Sequence, residues 1–423
     1  MSALRADTLA NLAAFGVMAV SGVTLNLLVV ALSGQAALGV FNQVYAVYVV
    51  TSMLAVFGVH DAVHRETAAH PGDVARQRAS LSSGLAVAAG TGALGALALL
   101  ALAEPIGWLA GSPEVGRGLT LLAPALLPFA INKVLMASLS GQTRLQAFAA
   151  VQIVRVLTLL GVVVGLAAAD WAAGWLALGF GAAELVILPV LLGLLRPAPG
   201  LASREHARAH LAFGVRALPH GFIAESFLRV DVLMLAPFVG DAAIGMYSLA
   251  AMFAEGLVQI GGTVRSVMAP RLVPQLGPDA ERAERARLLR QAMAMGLGAF
   301  VVVAGGLAVG FPALGWGLDP SLVAGAHEVL LVLVVGLAVN AAFLPLDQLL
   351  LWAGRPAQQS LMMGLNLTLN VVLNLALIPS LGVAGAAMAT AMAWSLSAVV
   401  LNVAAWRWLG FRGGIPGEAF YSM

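Results

Sequence analysis

Seven ionisable side chains lie inside otherwise apolar stretches of this sequence. They are Arg155, Glu184, Glu225, Arg229, Asp231, Glu255 and Asp347. A charge at the centre of a bilayer costs roughly 2.5–3.5 kcal/mol on insertion scales, so such residues pair, line a wet cavity or mark a functional pathway. The chemistry available to this set is recognition of an anionic group by arginine and reversible protonation of carboxyl groups.

The two arginines each have a candidate partner. Glu225 and Arg229 are four residues apart and share a helix face, and Arg155 and Glu184 fall on adjacent helices. One interpretation is a pair of structural ion pairs. The other is a cationic site for a diphosphate, since the planar guanidinium binds phosphate oxygens in a bidentate manner. Both interpretations stay open, and we assign substrate contact to Arg229 and Arg155.

Three acids, Asp231, Glu255 and Asp347, have no obvious partner in the sequence. A carboxyl group in apolar surroundings can exchange a proton near neutral pH, which suits coupling to a proton or ion gradient. We assign ion coupling to these three acids and to Glu225. The structural alternative is a neutral acid that is hydrogen-bonded to a neighbouring helix.

Amides form two further polar sets. Three asparagines recur every fourth residue at Asn366, Asn370 and Asn374, a stripe that favours helix–helix packing over cavity lining. In the first two helices we assign cavity lining and substrate contact to Asn26, Asn42 and Gln43.

A histidine pair and an arginine-rich run near the helix ends have structural explanations. His60 and His64 are too few to hold a metal ion, and we expect them at the wet end of the second span. The arginine-rich run 282–290 is expected to lie on anionic lipid at the cytoplasmic surface.

Composition identifies the elements that must position these residues. Of 423 residues, 61% are hydrophobic and 10% are charged, whereas about a quarter are charged in soluble domains. The chain is therefore an all-α polytopic membrane protein. The absence of cysteine excludes disulfides and cysteine-based metal sites. No polar segment is long enough for a separate catalytic or nucleic-acid-binding domain, so we expect neither nucleic acid nor a bound cofactor.

Apolar runs predict twelve transmembrane helices. Their ranges are 9–32, 38–59, 80–103, 118–139, 146–168, 172–195, 217–238, 244–264, 289–310, 328–352, 359–378 and 383–405. The first run is too long for the core of a signal peptide, so we expect it to be an uncleaved span. The segment 105–110 is expected as a short interfacial piece.

Arginine and lysine positions predict the orientation. Nineteen of the 22 basic residues, Lys133 among them, fall on the side of the N-terminus, and only Arg117 falls opposite. The positive-inside rule then places both termini in the cytoplasm.

The two halves of the chain repeat at an offset of 206 residues. ALSGQAALGVF at 31–41 aligns with PFVGDAAIGMY at 237–247, so that Gly39 matches Gly245. Six spans per half give both halves the same orientation, as in parallel repeats. We predict two six-helix lobes, 1–196 and 217–423, joined by a cytoplasmic linker at 197–216.

Three stretches carry a family resemblance: LGVF at 38–41 with its second copy IGMYS at 244–248, RVDVLML at 229–235, and the C-terminal run NVVLNLALIPSLGVAGAAMAT at 370–390. With these motifs the sequence resembles the Wzx-type polysaccharide flippases of the multidrug/oligosaccharidyl-lipid/polysaccharide exporter superfamily. It implies two lobes that open alternately to each side of the membrane. It also implies a lipid-diphosphate-linked oligosaccharide as cargo.

These features together predict a flippase of a bacterial inner membrane. Its expected partners are an undecaprenyl-diphosphate oligosaccharide, membrane lipids and a polysaccharide polymerase, and its energy source is an ion or proton gradient. The alternative is a drug/cation antiporter of the same superfamily, for which more aromatic residues than the 7% found here are expected. An integral-membrane glycosyltransferase or polymerase is disfavoured by the short outer loops, because catalysis needs a convergent set of groups.

The topology can be tested by cysteine labelling, because the natural chain contains no cysteine. A cysteine at Arg208 should be protected from an impermeant maleimide added to whole cells, and one at Arg117 should react. Labelling at Arg208 from outside would overturn the predicted orientation.

Overall fold

The computed structural model describes residues 2–227, 229–277 and 280–420. Within those residues the chain is helical and forms no strand. It divides into two compact units, Met1–Gly245 and Met246–Met423. The predicted lobe boundary in the linker 197–216 therefore lies inside the first unit, and the assignment of the seventh span to the second lobe stays a prediction.

Nine α-helices of the described residues begin and end within the first unit. They are α1 Ser2–Val56, α2 Val59–Ala69, α3 Val74–Leu109, α4 Pro113–Leu122, α5 Leu126–Gly141, α6 Leu145–Ala168, α7 Leu178–Leu195, α8 Arg204–Phe227 and α9 Val230–Leu235. The next helix, α10, begins at Asp241 in the first unit and continues to Leu272 in the second. The second unit then contains α11 Arg282–Gly310, α12 Pro320–Asn340, α13 Leu349–Trp352, α14 Pro356–Ala404 and α15 Gly414–Ala419.

The helix α1 is a hairpin of two spans. Gly34 has a φ of 83°, a left-handed conformation that glycine adopts without steric cost. Asn42 Nδ2 donates to Asn26 Oδ1 at 3.0 Å. In a straight helix these residues would lie about 24 Å apart. The chain therefore reverses at Gly34, which confirms the first two predicted spans as separate helices.

A second reversal lies in α14 at Gly382, whose φ is 55°. Asn370 Nδ2 donates across the hairpin to Thr390 Oγ1 at 3.4 Å, and Asn374 Nδ2 donates to Asn370 Oδ1 at 2.9 Å. Both asparagines are fully buried. The prediction that this stripe packs helices together is therefore confirmed for Asn370, and Asn374 is buried beside it.

Nine helical segments of the described residues are long and apolar enough to cross a membrane. Two of these contain the reversals at Gly34 and Gly382, and the broken pair α8–α9 supplies the seventh predicted span. The predicted twelve spans are thereby accounted for. Several boundaries differ by more than five residues. Helix α3 begins at Val74 and continues through Pro105 to Leu109, where a separate interfacial piece was predicted, and α12 spans Pro320–Asn340 instead of 328–352.

The seventh span is not the continuous helix that the sequence predicts. Helix α8 ends at Phe227 and α9 begins at Val230, and Arg229 has a φ of −118° at the break. Leu228 lies outside the described residues. The prediction of one helix across 217–238 was wrong, since hydropathy reports a span's length but does not report an interruption inside it.

Gly39 and Gly245, which the repeat aligns, both lie where the second arm of α1 crosses the start of α10. A Cβ atom on Gly39 would lie 1.8 Å from the Asp241 carbonyl oxygen, and one on Gly245 would lie 1.9 Å from the Gln35 carbonyl oxygen. The second arm of α1 and the start of α10 therefore touch through their backbones. Small residues allow such close approach between membrane helices.

The predicted linker is held against the start of α3. The backbone N–H groups of Ala198 and Ser203 donate to the hydroxyl oxygens of Ser82 and Ser83, at 3.2 and 3.0 Å. Buried His210 contacts the Ser80 hydroxyl at 3.2 Å. Since α8 begins at Arg204, the second half of the linker is helical.

The C-terminal tail, which contains α15 (Gly414–Ala419), packs against the start of α11. Glu418 is 1% exposed, and Arg282 and Arg285 donate to both of its carboxylate oxygens over 2.6–3.1 Å. Arg290 donates to the Ala419 carbonyl at 2.7 Å. The expectation that the run 282–290 lies on lipid was wrong for three of its four arginines, because they bind the tail instead.

Replacement of Gly39 with alanine should destabilise the protein by about 1–3 kcal/mol, the usual cost of overpacking. Gly22→Ala is the matched control in the same helix, since a Cβ there meets nothing within 4 Å. It should be neutral or stabilising, as alanine favours a helix over glycine. The measurement is the thermal midpoint in detergent, and equal midpoints for the two variants would contradict the proposed crossing.

Glu418 should stabilise the fold at neutral pH and lose that effect in acid. Burial alone raises the pKa of a carboxyl group, but the bonds from Arg282 and Arg285 outweigh it and hold the pKa of Glu418 below its usual value. The stabilisation is therefore present above the unfolded pKa of about 4.3 and is lost as pH falls through the folded pKa.

Glu418→Gln should cost roughly 3 kcal/mol at pH 7, because it leaves two arginines facing a neutral group. The thermal midpoints of variant and parent should converge at a pH below about 4.3, by the same linkage. Glu284→Gln, in a pair with Arg287 at the exposed surface, is the control and should change little. An unchanged midpoint for Glu418→Gln would refute the role of the tail contact.

Candidate binding site

Arg155 of α6 and Glu184 of α7 form a buried ion pair. The Arg155 Nε and Nη2 atoms lie 2.8 and 2.7 Å from Glu184 Oε1. Glu184 is only 1% exposed. The predicted pairing of these two residues is confirmed, whereas contact between Arg155 and a substrate stays a prediction.

Both carboxylate oxygens of Glu184 are fully engaged. Asn132 Nδ2 donates to Oε2 at 2.8 Å and also to the Glu184 carbonyl at 2.8 Å, and the Tyr48 hydroxyl donates to Oε1 at 3.4 Å. The Arg155 guanidinium lies 5.5 Å from the centroid of the Phe129 ring. One carboxylate thus connects α1, α5, α6 and α7.

A cavity of about 220 Å³ opens beside this network. Nine of its fourteen lining residues are polar or charged, and the other five, two phenylalanines among them, are apolar. The lining side chains that bear hydrogen-bonding or aromatic groups are His60, Asp61, His64, Phe129, Asn132, Lys133, Ser140, Phe148, Gln152, Arg155 and Glu184. Such a mixture suits a hydroxylated or anionic ligand better than an apolar one.

Lys133 is the only lysine in the sequence. We expected it on the cytoplasmic side, but it lies within α5 and lines the cavity. In the part of the chain that the structure describes, no carboxylate lies within ion-pair distance of it. The sequence did contain a signal for this position, because Lys133 lies inside the predicted span 118–139. It should have been grouped with the seven ionisable residues found inside the apolar stretches.

Two histidines of α2 complete the cavity wall. His60 Nε2 lies 3.4 Å from Asp61 Oδ1, and His64 Nδ1 lies 3.2 Å from the Ala137 carbonyl oxygen. Burial lowers the pKa of His60 to about 4, so its imidazole is neutral at neutral pH. The Asp61 side chain is 54% exposed and therefore largely solvated.

Arg229 lies elsewhere, at the break between α8 and α9. Its guanidinium stacks over the ring of Tyr45 at 4.8 Å from the centroid. Glu225 is exposed and precedes the break. The helical face that the predicted Glu225–Arg229 pair required is thus interrupted.

The amides of the first hairpin do not line this cavity, and substrate contact by Asn26, Asn42 and Gln43 stays a prediction. Asn26 and Asn42 bond to each other. Gln43 is 2% exposed and its Nε2 donates to Asp241 Oδ1 at 2.7 Å, while the Ser112 hydroxyl donates to Asp241 Oδ2 at 2.7 Å. These amides hold helix contacts, because each is matched by a nearby polar partner.

The acids assigned to coupling are not isolated, contrary to the prediction. Asp347 forms an ion pair with Arg265, which we expected at the cytoplasmic surface. Asp231 is 7% exposed, and both it and Glu255 interact with other groups of the protein. A role in coupling stays a prediction for these residues and for Glu225.

Comparison with known families identifies the chain. The family model described as "Polysaccharide biosynthesis protein" matches residues 28–303, which is more than half of the sequence. The chain belongs to this family. No curated protein matches the sequence.

Solved structures show the fold of this polysaccharide biosynthesis family member. It is similar to the lipid II flippase MurJ in an inward closed conformation, with a TM-score of 0.76 at 11% identity over 92% of this chain and 85% of that one. An inward-facing multidrug resistance MATE family transporter of the MOP superfamily gives 0.67 at 13% identity, over 96% of each chain. The MATE multidrug transporter DinF-BH, in a ligand complex, gives 0.64 at 14% identity, over 96% of this chain and 95% of that one.

At these identities the likeness shows the fold. The chain is a multi-pass membrane protein with the twelve-helix, two-lobe exporter fold. The predicted fold class is confirmed, and the family model confirms the predicted polysaccharide family.

Proposed function

We propose that the protein is a flippase that moves a lipid-diphosphate-linked oligosaccharide across the bacterial inner membrane by alternating access. The membership in a polysaccharide biosynthesis family and the exporter fold support this role. The carrier lipid is undecaprenyl diphosphate, and a polysaccharide polymerase uses the translocated unit.

The chemistry of the cavity in the first unit carries the proposal. Its lining includes Arg155 and Lys133, within helices that are apolar enough to cross a membrane, and further amide, hydroxyl and imidazole side chains. Amide, hydroxyl and imidazole groups suit sugar hydroxyls, and cationic groups suit an anionic cargo.

The same lining disfavours the drug/cation antiporter. Lipophilic cations bind next to carboxylates and aromatic faces, but here the buried carboxylate of Glu184 is neutralised by Arg155. Besides that pair, the lining holds one further cation, Lys133, and one further carboxylate, Asp61, which is largely solvated; the ammonium repels a cationic drug.

Arg229 is the proposed contact for the diphosphate. It lies at a break between two helices, where its guanidinium rests on the Tyr45 ring. An arginine fork makes two parallel hydrogen bonds to phosphate oxygens, which a lysine point charge cannot reproduce.

A proton or ion gradient is the proposed energy source, with Asp231 as the first coupling candidate because its carboxyl group is buried in α9. Movement of one charge through 100 mV is worth about 2.3 kcal/mol, enough for more than tenfold accumulation. Flipping that is equally fast without a gradient, together with an unchanged rate for Asp231→Asn, would exclude coupling.

Arg229→Ala should abolish flipping of a lipid-linked oligosaccharide in proteoliposomes, while Arg229→Lys should restore only part of the rate. The reason is the loss of the bidentate phosphate contact. The measurement is the appearance of the sugar headgroup in the opposite leaflet, and Arg287→Ala, in an exposed pair, is the control.

The exchange of Glu225→Arg with Arg229→Glu separates the two interpretations of Arg229. Near-normal flipping by the exchanged protein would leave an ion pair as the only role of Arg229. Transport of a rhodamine dye cation in preference to the lipid-linked oligosaccharide would instead favour the drug/cation antiporter.

A further inference from the structure

The cavity beside Glu184 has more hydrogen-bonding capacity than the protein itself uses. Within the described residues, Asn132 Oδ1 and His60 Nδ1 are buried and have no hydrogen-bond partner. Gln152 lines the same cavity from α6. Buried polar atoms are normally satisfied by protein, water or ligand, so these atoms face an occupant.

The cavity also offers an aromatic surface. Phe129 is covered by the Arg155 guanidinium and the edge of Tyr48, so its faces are already occupied. Phe148 of α6 lines the cavity without a ring or cation stacked on it among the described residues. The negative face of an aromatic ring attracts the weakly positive C–H edge of a sugar ring.

Lys133 adds one positive charge to the lining, and no carboxylate of the described residues lies within ion-pair distance of it. Glu184 is bonded to Arg155, Glu225 is exposed on α8, and Asp61, which lines the same cavity, is half exposed. The ammonium can therefore form a direct ion pair with a carboxylate on the occupant, whereas a neutral sugar offers it only hydroxyl oxygens.

We propose that this cavity is a subsite for one acidic sugar ring, whose carboxylate binds Lys133. Asn132, His60 and Gln152 bind the ring hydroxyls, and Phe148 packs against the ring. A volume of about 220 Å³ equals roughly seven water molecules at ~30 Å³ each, room for one ring. The subsite rests on the proposed function and specifies its substrate class, an oligosaccharide that carries a carboxylate.

Charge and geometry favour a carboxylate over the carrier diphosphate at this position. A diphosphate bears at least two negative charges, and the single ammonium balances one. Arginine is the side chain that matches phosphate geometry, and the arginine in this cavity is bonded to Glu184.

The single lysine makes the test direct. [¹³C]Lysine incorporated into the full-length protein gives signals from one side chain, Lys133. Glucuronate should shift the Cε signal in a saturable titration in nanodiscs, while glucose should not shift it. Equal shifts by glucose and glucuronate would remove the carboxylate from the proposal, and no shift by either would overturn the subsite.

Pyrophosphate is the probe for the competing anion. A saturable shift at lower concentration than with glucuronate would assign the cavity to the carrier diphosphate and overturn the acidic-sugar proposal. The absence of a shift, or a much weaker one, is expected.

Two variants test the ring contact and the charge. Phe148→Leu should weaken glucuronate binding by at least about tenfold, whereas Phe213→Leu, which changes a phenylalanine that stacks under Arg65 elsewhere, should not. Lys133→Met should abolish glucuronate binding detected by saturation-transfer NMR, and Lys133→Arg should retain part of it. Equal binding by parent and Lys133→Met would refute the ammonium contact.

The flipping assay separates this inference from the proposed function. Lys133→Met should slow a uronate-containing lipid-linked oligosaccharide at least several-fold more than it slows a neutral one. If both cargoes are flipped equally by parent and variant, the acidic subsite fails and the flippase stands. If neither cargo is flipped by the parent protein, the proposed function itself fails.

Discussion

The first unit depends on one buried carboxylate. Glu184 accepts hydrogen bonds from Arg155, Asn132 and Tyr48, and thereby connects four helices at a depth where an unpaired charge would be costly. Because Glu184 is bonded to Arg155, it forms no ion pair with Lys133. Lys133 therefore faces the cavity with no carboxylate of the described residues within ion-pair distance, although Asp61 lines the same cavity.

The second constraint on the fold is the backbone contact between the second arm of α1 and the start of α10. Gly39 and Gly245 occupy equivalent positions of the sequence repeat, and each lies where a Cβ would collide with a carbonyl group. The Gln43 and Ser112 bonds to Asp241 reinforce the same crossing. A motif that resembles a family signature is therefore explained by packing, since only glycine permits this approach.

In the second unit, three arginines bind carboxylates of the protein itself. Arg282 and Arg285 bind Glu418, and Arg265 binds Asp347, although a count of charges by loop placed all three arginines at the cytoplasmic surface. A positive-inside count describes which side of the membrane a residue occupies. It carries no information on which carboxylate the residue meets, because that depends on helices distant in sequence.

The sequence alone determined the fold class, the twelve spans and the repeat, because hydropathy and glycine placement are local properties that a membrane makes obligatory. The Arg155–Glu184 pair was also predictable, since adjacent spans must neutralise buried charges. The break before Arg229, the pairing of Asn26 with Asn42 and the Asp347–Arg265 ion pair were not. Each of these depends on backbone irregularity or on long-range contact. Lys133 lies between the two cases: its type and span were visible in the sequence, but only tertiary packing decided that Arg155 takes the nearby carboxylate and leaves the lysine to face the cavity.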